Sequence, residues 1–191
     1  MALPSFAVVD LETSGLSTRR HRVLQIGVVT VCADGTVIDE WSSLVKLRWP
    51  LQRVGPTEIH GITRRTLKGA PDLHRVLDEL AARLDGSIFT AHNAAFDAGF
   101  LERAARRRPP VDRLRTRLWP SLCTLRMSRR LDPDRQLSHR LGDVCERYGV
   151  TLDRPHDALS DAAATAAVLP HLISAHGITD VDQLEPFYVW P

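Results

Sequence analysis

Two acidic residues, Asp10 and Glu12, interrupt an apolar run near the beginning of the sequence. The run has the composition of a β-strand, in which residues i and i+2 project from the same face. Both carboxylates are therefore expected at one spot, where their repulsion raises the pKa of one of them unless a cation neutralises the pair. Hard oxygen ligands in this arrangement suit Mg²⁺ or Mn²⁺. The competing interpretation is a strand that ends in a solvated turn, because Asp-x-Glu is a common tripeptide.

Three further residues that could do chemistry lie beside predicted helices. Asp97 lies where a strand passes into a helix, although an aspartate there can simply favour the positive helix end. His156 and Asp161 lie near the start of a long apolar helix. Within one helix, a separation of five residues would turn their side chains about 140° apart. They can converge only if His156 lies in the loop before the helix and Asp161 lies in its first turns.

The elements that must position these residues follow from the apolar periodicity, which changes along the chain from strand to helix. The predicted strands are 6–11, 22–32, 36–47, 87–91 and 117–124, and the predicted helices are 73–84, 94–107, 137–148 and 159–175. A hairpin turn at Ala33-Asp34-Gly35 makes the first three strands antiparallel. This opening, followed by alternating strands and helices, predicts an α/β fold with a mixed sheet and flanking helices.

Composition sets broader limits on the protein. The 191 residues fit one domain, and a net charge of +2 identifies no partner class. Three cysteines without C-x-x-C spacing argue against a disulfide framework or a zinc site, which favours a cytoplasmic setting. The first nine residues are too short for a signal peptide, and Pro170 and Gly177 make the charge-free stretch 162–179 a poor membrane span. We therefore expect no membrane association.

Three segments match a known pattern in order and spacing. They are Val9-Asp10-Leu11-Glu12-Thr13-Ser14-Gly15-Leu16, then His92-Asn93-Ala94-Ala95-Phe96-Asp97, then His156 followed after four residues by Asp161. Together with Ile59-His60-Gly61-Ile62-Thr63, they resemble the motifs of the DnaQ-like family of 3′–5′ exonucleases, the DEDDh group. The resemblance extends over residues 5–175. The chain departs from it at Ser14, where Thr is commoner, at Gln25, where Glu is often found, and at Gly55-Pro56, which shifts the usual proline.

The resemblance implies an RNase H-like fold and a role for each matching residue. Two divalent cations, Mg²⁺ or Mn²⁺, would be held by the carboxylates Asp10, Glu12, Asp97 and Asp161. His156 would be the general base, and the product would be a nucleoside 5′-monophosphate. The terminal nucleotides would be received by Thr13, Leu16, His60, Asn93 and Phe96. From residue type alone, however, Leu16 and Phe96 are expected in the core, and His92 is expected to be structural.

Two segments outside these motifs are open to two interpretations each. The arginines between 103 and 117 are Arg103, Arg106, Arg107, Arg108, Arg113, Arg115 and Arg117. They form either a solvated face or a guide for a phosphate backbone. Residues 183–187 loosely resemble a sliding-clamp-binding peptide, with Pro186 where Leu is usual, but a docked tail is favoured. We therefore divide the chain into an exonuclease domain at 1–178 and a tail at 179–191.

The expected function is metal-dependent removal of nucleotides from single-stranded or frayed 3′ ends of DNA, with a DNA polymerase or a sliding clamp as candidate partners. The alternative enzyme is an exoribonuclease of the ribonuclease T or oligoribonuclease kind, which differs by its contacts to the 2′-hydroxyl. A catalytically silent nucleic-acid-binding subunit is the third interpretation. It is disfavoured because such a subunit has no physical need for four clustered carboxylates and His156.

Overall fold

The structure, a computed structural model, describes residues 3–48, 52–106 and 112–191, without the side chains of residues 112 and 113. In these ranges the strands are β1 (Ser5–Thr13), β2 (Val23–Val31), β3 (Val37–Leu44), β4 (Ser87–Ala91), β5 (Ser121–Cys123) and β6 (Tyr188–Val189). The helices are α1 (Thr57–His60), α2 (Leu73–Arg83), α3 (Ala94–Ala105), α4 (Asp112–Leu118), α5 (Thr124–Arg130), α6 (Leu141–Arg147), α7 (Ala158–Ala175) and a 3₁₀ helix, η1 (Val181–Phe187).

The strands form one mixed sheet in the order β3-β2-β1-β4-β5-β6. The first three strands pair antiparallel, with a turn in which the Gly35 N–H donates to the Cys32 carbonyl at 3.0 Å. β4 lies parallel to both β1 and β5, and β6 closes the edge antiparallel to β5. This arrangement confirms the predicted α/β fold with a mixed sheet and antiparallel opening strands.

Helices cover both faces of the sheet. On one face, the β1 residues Phe6 and Val8 pack in a core with the apolar side of α7. On the other face, Ala7 and Val9 pack with α2 and α3. Because strand side chains alternate, Asp10 continues the row that faces α7. The fold therefore directs its two unusual acids toward the beginning of that helix.

Two predicted elements differ from the structure. The strand predicted at 117–124 is shorter in the structure and consists of β5 alone. The residues before it belong to α4, in which Leu114 and Leu118 lie one helical turn apart and are both buried. The helix predicted at 137–148 begins later, at α6. Its expected first residues are held in a turn, since the Asp132 carboxylate accepts from the N–H groups of Gln136 and Leu137. The predicted end of α3 at residue 107 lies outside the described residues.

α7 is the one helix in the described ranges with the length and apolar composition to cross a membrane. Of its 18 residues, 56% are buried inside the protein, where the helix packs against β1 and β2. The central helix of an α/β fold passes the same test, so this property carries no evidence for a membrane.

Residues 179–191, predicted as a tail, pack against the rest of the protein. Leu184 and Phe187 in η1 are buried, and the Phe187 ring lies 4.5 Å from that of His176 between centroids. β6 then pairs with β5. The division of the chain at residue 178 stays a prediction, but a partner that took hold of residues 183–187 would have to extract Phe187.

Candidate active site

Asp10 and Glu12 project from the same face of β1, as the strand alternation predicts. In the antiparallel register, Asp10 lies opposite Gly27 of β2, and Glu12 lies opposite Gln25. A small residue and an uncharged amide therefore stand where a bulky or charged partner would crowd the two carboxylates. These two β2 residues also determine how the beginning of α7 approaches the sheet.

Gly27 allows α7 to begin directly above the sheet. A Cβ atom at this position would lie only 2.2 Å from the carbonyl oxygen of Ala158, a separation that real Cβ atoms essentially never show. Gln25 ties the same helix end to β2, because its Nε2 donates to Asp157 Oδ2 at 3.3 Å and its Oε1 accepts from the Ala158 N–H at 3.5 Å. Asp157 caps the helix by accepting from the Ser160 N–H at 3.1 Å.

His156 and Asp161 meet in the way that helix geometry requires. His156 precedes α7 with a φ of 66°, in the left-handed region, and Asp161 lies in the first turn of the helix. The His156 N–H donates to Asp161 Oδ2 at 3.1 Å. The structure thus has His156 before the helix and Asp161 in its first turn, which is the arrangement in which the two residues can converge.

Three of these side chains converge on one point. One potential metal-binding atom from each of Glu12, His156 and Asp161 lies within 4.8 Å of the other two. The second carboxylate oxygen of Asp161, Oδ1, is buried and has no hydrogen-bond partner among the described residues. A buried anionic oxygen without a partner is energetically costly, and a cation at this point would satisfy it.

Asp97 approaches from the opposite side of β1. Pairing between β1 and β4 ends at Val8 and Thr90, while β1 continues, so its next N–H groups on that side are not used by β4. The Leu11 N–H donates a hydrogen bond to the Asp97 carboxylate. Burial raises the pKa of Asp97, and this hydrogen bond opposes the rise. Asp97 lies in the first turn of α3 and is buried.

Burial raises the pKa of each of the four carboxylates, and the charge of a neighbouring acid raises it further. Burial, followed by the charges of Asp97, Asp161 and Glu12, raises the pKa of Asp10 well above its ordinary value. Burial and the charge of Asp161 raise the pKa of Glu12 from 4.5 to about 8. Burial also raises the pKa of Asp161, although the His156 N–H opposes this rise. Clustered acids with raised pKa values and an unpartnered oxygen fit a site for hard divalent cations.

The residues predicted to receive nucleotides occupy varied settings. Leu16 is 84% exposed, which overturns its expected place in the core. Phe96 is half-buried and packs on Phe100, with ring centroids 4.8 Å apart. Asn93 is exposed at the start of α3, and Thr13 Oγ1 donates to the Gly15 carbonyl at 2.9 Å.

Two histidines are engaged elsewhere. His60 is buried, its Nδ1 accepts from the Ile62 N–H at 3.0 Å, and its Nε2 lies 3.1 Å from the Val54 carbonyl oxygen. Both ring nitrogens of His60 therefore contact the backbone of the loop in which this residue lies. The role of His60 in binding a nucleotide stays a prediction. His92 bridges Thr124 Oγ1 at 3.0 Å and the His139 carbonyl at 2.9 Å, and burial lowers its pKa. These contacts agree with the structural role expected for His92.

Gln25, Gly27 and Asp157 are parts of the site that the sequence reasoning did not assign. The predicted hairpin between β2 and β3 does not indicate which β2 residues lie near the carboxylates. The pairing register between β1 and β2 does indicate it for Gln25 and Gly27. Counting back from an antiparallel pairing of these two strands would have placed residues 25 and 27 beside Glu12 and Asp10.

Comparison with known proteins decides the family. Residues 7–169 match the model of the exonuclease family RNase_T. The chain belongs to this exonuclease family. DNA polymerase III PolC-type from Streptococcus thermophilus is 34% identical to it over 184 residues, which cover 94% of this chain and 12% of that polymerase. A putative bifunctional exonuclease/endonuclease protein from Mycobacterium tuberculosis is 37% identical over 185 residues, which cover 91% of this chain and 27% of that protein. This exonuclease chain therefore spans a small part of either relative.

Solved structures of exonucleases share the fold. Escherichia coli exonuclease I, in complex with a dT13 oligonucleotide, superposes with a TM-score of 0.75 at 18% identity, over 91% of this chain and 42% of that one. A 3′-exonuclease that recognises the 3′ end of a histone mRNA stem-loop gives 0.74 at 14% identity, over 92% of this chain and 84% of that one. The predicted family, RNase H-like fold and enzyme class are confirmed.

Proposed function

We propose that this exonuclease domain removes nucleoside 5′-monophosphates one at a time from the 3′ end of single-stranded or frayed DNA, using two divalent cations, Mg²⁺ or Mn²⁺. The observation that carries the proposal is the convergence of Glu12, His156 and Asp161 around an unpartnered carboxylate oxygen. Asp10 and Asp97 add two further acids whose pKa values are raised in the same direction.

The four carboxylates Asp10, Glu12, Asp97 and Asp161 would hold the cations. When bound, such ions polarise the scissile phosphate, increase the acidity of the attacking water and stabilise the departing oxygen. The residues of this chain keep the carboxylates close together. Gly27 and Gln25 hold Asp161 near β1, and the Leu11 N–H orients Asp97.

His156 serves as the general base in this proposal. A ring nitrogen accepts a proton from the attacking water as the water oxygen bonds to phosphorus and the bond to the 3′ oxygen breaks. The departing oxygen takes up a proton and becomes the new 3′-hydroxyl of the shortened strand. His156 is exposed, so the proton that it accepts can pass to solvent. Its backbone bond to Asp161 keeps the ring over the carboxylates.

DNA is the preferred substrate in this proposal. The PolC-type relative is a DNA polymerase by name, and exonuclease I with the same fold binds a DNA oligonucleotide. The exposed Leu16 and the half-buried Phe96 offer apolar surfaces for the terminal bases. RNA is the second candidate, because the 3′-exonuclease with the same fold recognises an mRNA stem-loop end.

The proposal extends to the cellular setting of the protein. The PolC-type relative supports work beside a DNA polymerase in the cytoplasm, where the free cysteines Cys32, Cys123 and Cys145 remain reduced. A sliding clamp stays a candidate partner through residues 183–187, provided that it can displace η1.

The test uses 5′-labelled dT12 and rU12 with Mn²⁺, with Mg²⁺ and with EDTA. We expect a ladder that shortens from the 3′ end, release of dTMP, faster loss of dT12 than of rU12, and no reaction in EDTA. Asp10→Asn should abolish the reaction, whereas Asp78→Asn, at an exposed position on α2, should not. Full activity in EDTA or in Asp10→Asn would refute the metal-dependent mechanism. Preferential loss of rU12 would favour the second candidate.

A further inference from the structure

A second concave site lies on the face of the sheet that α2 and α3 cover, which is the side from which α3 carries Asp97 to the other carboxylates. This basic cavity has a volume of about 1060 Å³. It lies between the turn after β1, the segment after β3 and the exposed side of α3. Its positively charged lining residues are Arg20, Arg22, Lys46, Arg48, Arg53 and Arg103.

The charge of this lining is strongly one-sided. Asp72 is the one acidic residue that lines the basic cavity among the described residues, against six arginines and lysines. The whole chain, by contrast, has 25 basic and 23 acidic residues. So many like charges around one concavity raise the local positive potential, which low-dielectric walls concentrate further.

Four of these cations are not neutralised by carboxylates. Within the described ranges, Arg20, Lys46, Arg53 and Arg103 are exposed and form no ion pair. Arginines a few residues beyond Arg103 behave differently. Arg106 and Arg115 both pair with Glu102, at 2.9 and 3.2 Å, and Arg117 pairs with Asp85 at 2.8 Å. The fold thus pairs these three arginines with carboxylates and leaves the four other cations at the wall of an open cavity.

The basic cavity adjoins the proposed reaction centre at two points. Ser14, two residues after Glu12, is part of its lining. Phe100 also lines it and packs, with its ring tilted, against Phe96, the residue proposed to contact the terminal base. Arg103 follows Asp97 by six residues, which is about 9 Å along the helix axis. A strand whose 3′ end lies at the carboxylates can therefore reach the cavity with the nucleotides that follow.

We propose that the basic cavity binds the sugar–phosphate backbone of the substrate strand, upstream of the nucleotide being removed. A backbone presents several phosphates in a row, which matches several cations distributed around one wall better than a single anion does. An arginine guanidinium group can also donate two parallel hydrogen bonds to the oxygens of one phosphate. The inference rests on the proposed function, because it assumes that the strand ends at the carboxylates.

The experiment compares a triple variant, Arg20→Gln/Lys46→Gln/Arg103→Gln, with a matched control, Arg130→Gln/Arg135→Gln/Arg140→Gln, which removes three exposed arginines that do not line the cavity. Fluorescence anisotropy measures binding of labelled dT12 in EDTA across a salt series. Hydrolysis is followed with dT12 and with the p-nitrophenyl ester of thymidine 5′-monophosphate, which has no upstream strand.

For the triple variant, we expect dT12 binding at low salt to weaken by about tenfold or more. Its log–log salt slope should flatten by about 0.7 for each phosphate that the variant no longer neutralises. kcat/KM for dT12 should fall in parallel, while turnover of the small ester and every property of the control should stay unchanged.

Several outcomes would overturn the inference. Unchanged dT12 binding, or an equal fall in activity on both substrates, would do so. So would a variant that no longer binds inorganic tripolyphosphate but still binds dT12, because the cavity would then serve a small anion. Cavity-dependent dT12 binding without hydrolysis of either substrate would instead leave the inference intact and refute the proposed function.

Discussion

Glu12 makes the stability of the protein dependent on pH. Its pKa is raised from 4.5 to about 8 in the folded state, so between these values the folded protein binds a proton that the unfolded chain does not. The free energy of unfolding therefore falls as the pH rises through this window, and burial shifts Asp10, Asp97 and Asp161 in the same direction. In EDTA, we expect a lower Tm at about pH 8 than at about pH 5.5 by calorimetry, and a larger rise on adding Mn²⁺ at the higher pH.

Two variants isolate the contribution of this side chain. Glu12→Gln cannot ionise, so the fall in Tm with pH should become shallower. Glu58→Gln, at an exposed position in α1, should keep the wild-type profile. A Glu12→Gln protein whose Tm follows pH as steeply as the wild type would show that the carboxylate is not destabilised by its surroundings.

His156 gives a second prediction for a single residue. His156→Ala should lower kcat by about 10² to 10⁴-fold, because it removes a positioned proton acceptor. Mn²⁺ binding, measured by calorimetry, should change little, since the four carboxylates remain. The wild-type rate should depend on pH through a general base, and the variant should lose that dependence. Wild-type turnover by the variant at neutral pH would exclude His156 as the base.

The sequence was informative about these residues to the extent that local geometry determines them. Strand alternation is enough to bring Asp10 and Glu12 together, and helix geometry is enough to separate His156 from the helix that carries Asp161. The exposure of Leu16 was not predictable in this way. Whether an apolar side chain after a turn is covered depends on distant segments of the chain, which a local pattern does not contain.

The junction between β2 and α7 depends on a residue without a side chain. Gly27→Ala should displace α7, because the added Cβ would lie 2.2 Å from the Ala158 carbonyl oxygen, and Asp161 would move with the helix. We expect nuclease activity to fall by at least about tenfold and the free energy of unfolding to fall by about 1 to 3 kcal/mol in urea titrations.

Gly142→Ala is the matched control for this substitution. A Cβ at Gly142, in α6, meets no atom within 4 Å, and alanine favours helix more than glycine does. The control should therefore keep full activity with equal or slightly higher stability. Equal behaviour of the two alanine variants would mean that α7 tolerates a larger separation from β2.

Elements with strong periodicity were predicted well, and short ones were not. α7 is confirmed within one residue because its apolar pattern persists through 18 residues. β5 has three residues, too few for alternation to be distinguished from the helical spacing of Leu114 and Leu118. The pairing of Gln25 with the start of α7 joins residues that lie 132 positions apart, so no window along the sequence contains it.

At the scale of the whole molecule, a net charge of +2 conceals a separation of charge. In the dense arginine run, three of the four arginines whose side chains are described form ion pairs, with Glu102 or Asp85. Arg107, Arg108 and the side chain of Arg113 lie outside the described residues. The cations of the basic cavity instead come from positions between 20 and 103, which only the fold brings together.

The packing of residues 179–191 has a measurable effect on the stability of the whole protein. Phe187 is buried against His176, so Phe187→Ala should lower the free energy of unfolding by about 3 kcal/mol in urea titrations. Trp190→Ala, at a position that is 62% exposed, should change it by less than about 0.5 kcal/mol. Similar small effects of both substitutions would indicate that η1 contributes little to the fold and is available to a partner.

The close approach at Gly27 also affects how related sequences should be sorted. A search that inspects only the four carboxylates and the histidine would accept a chain with valine at the position of Gly27. With that residue, the two halves of the site could not approach as they do here, and such a chain would carry a complete motif without a working centre. We therefore expect position 27 to distinguish active relatives from inactive ones, although a glycine there has no side chain to contact cation or substrate.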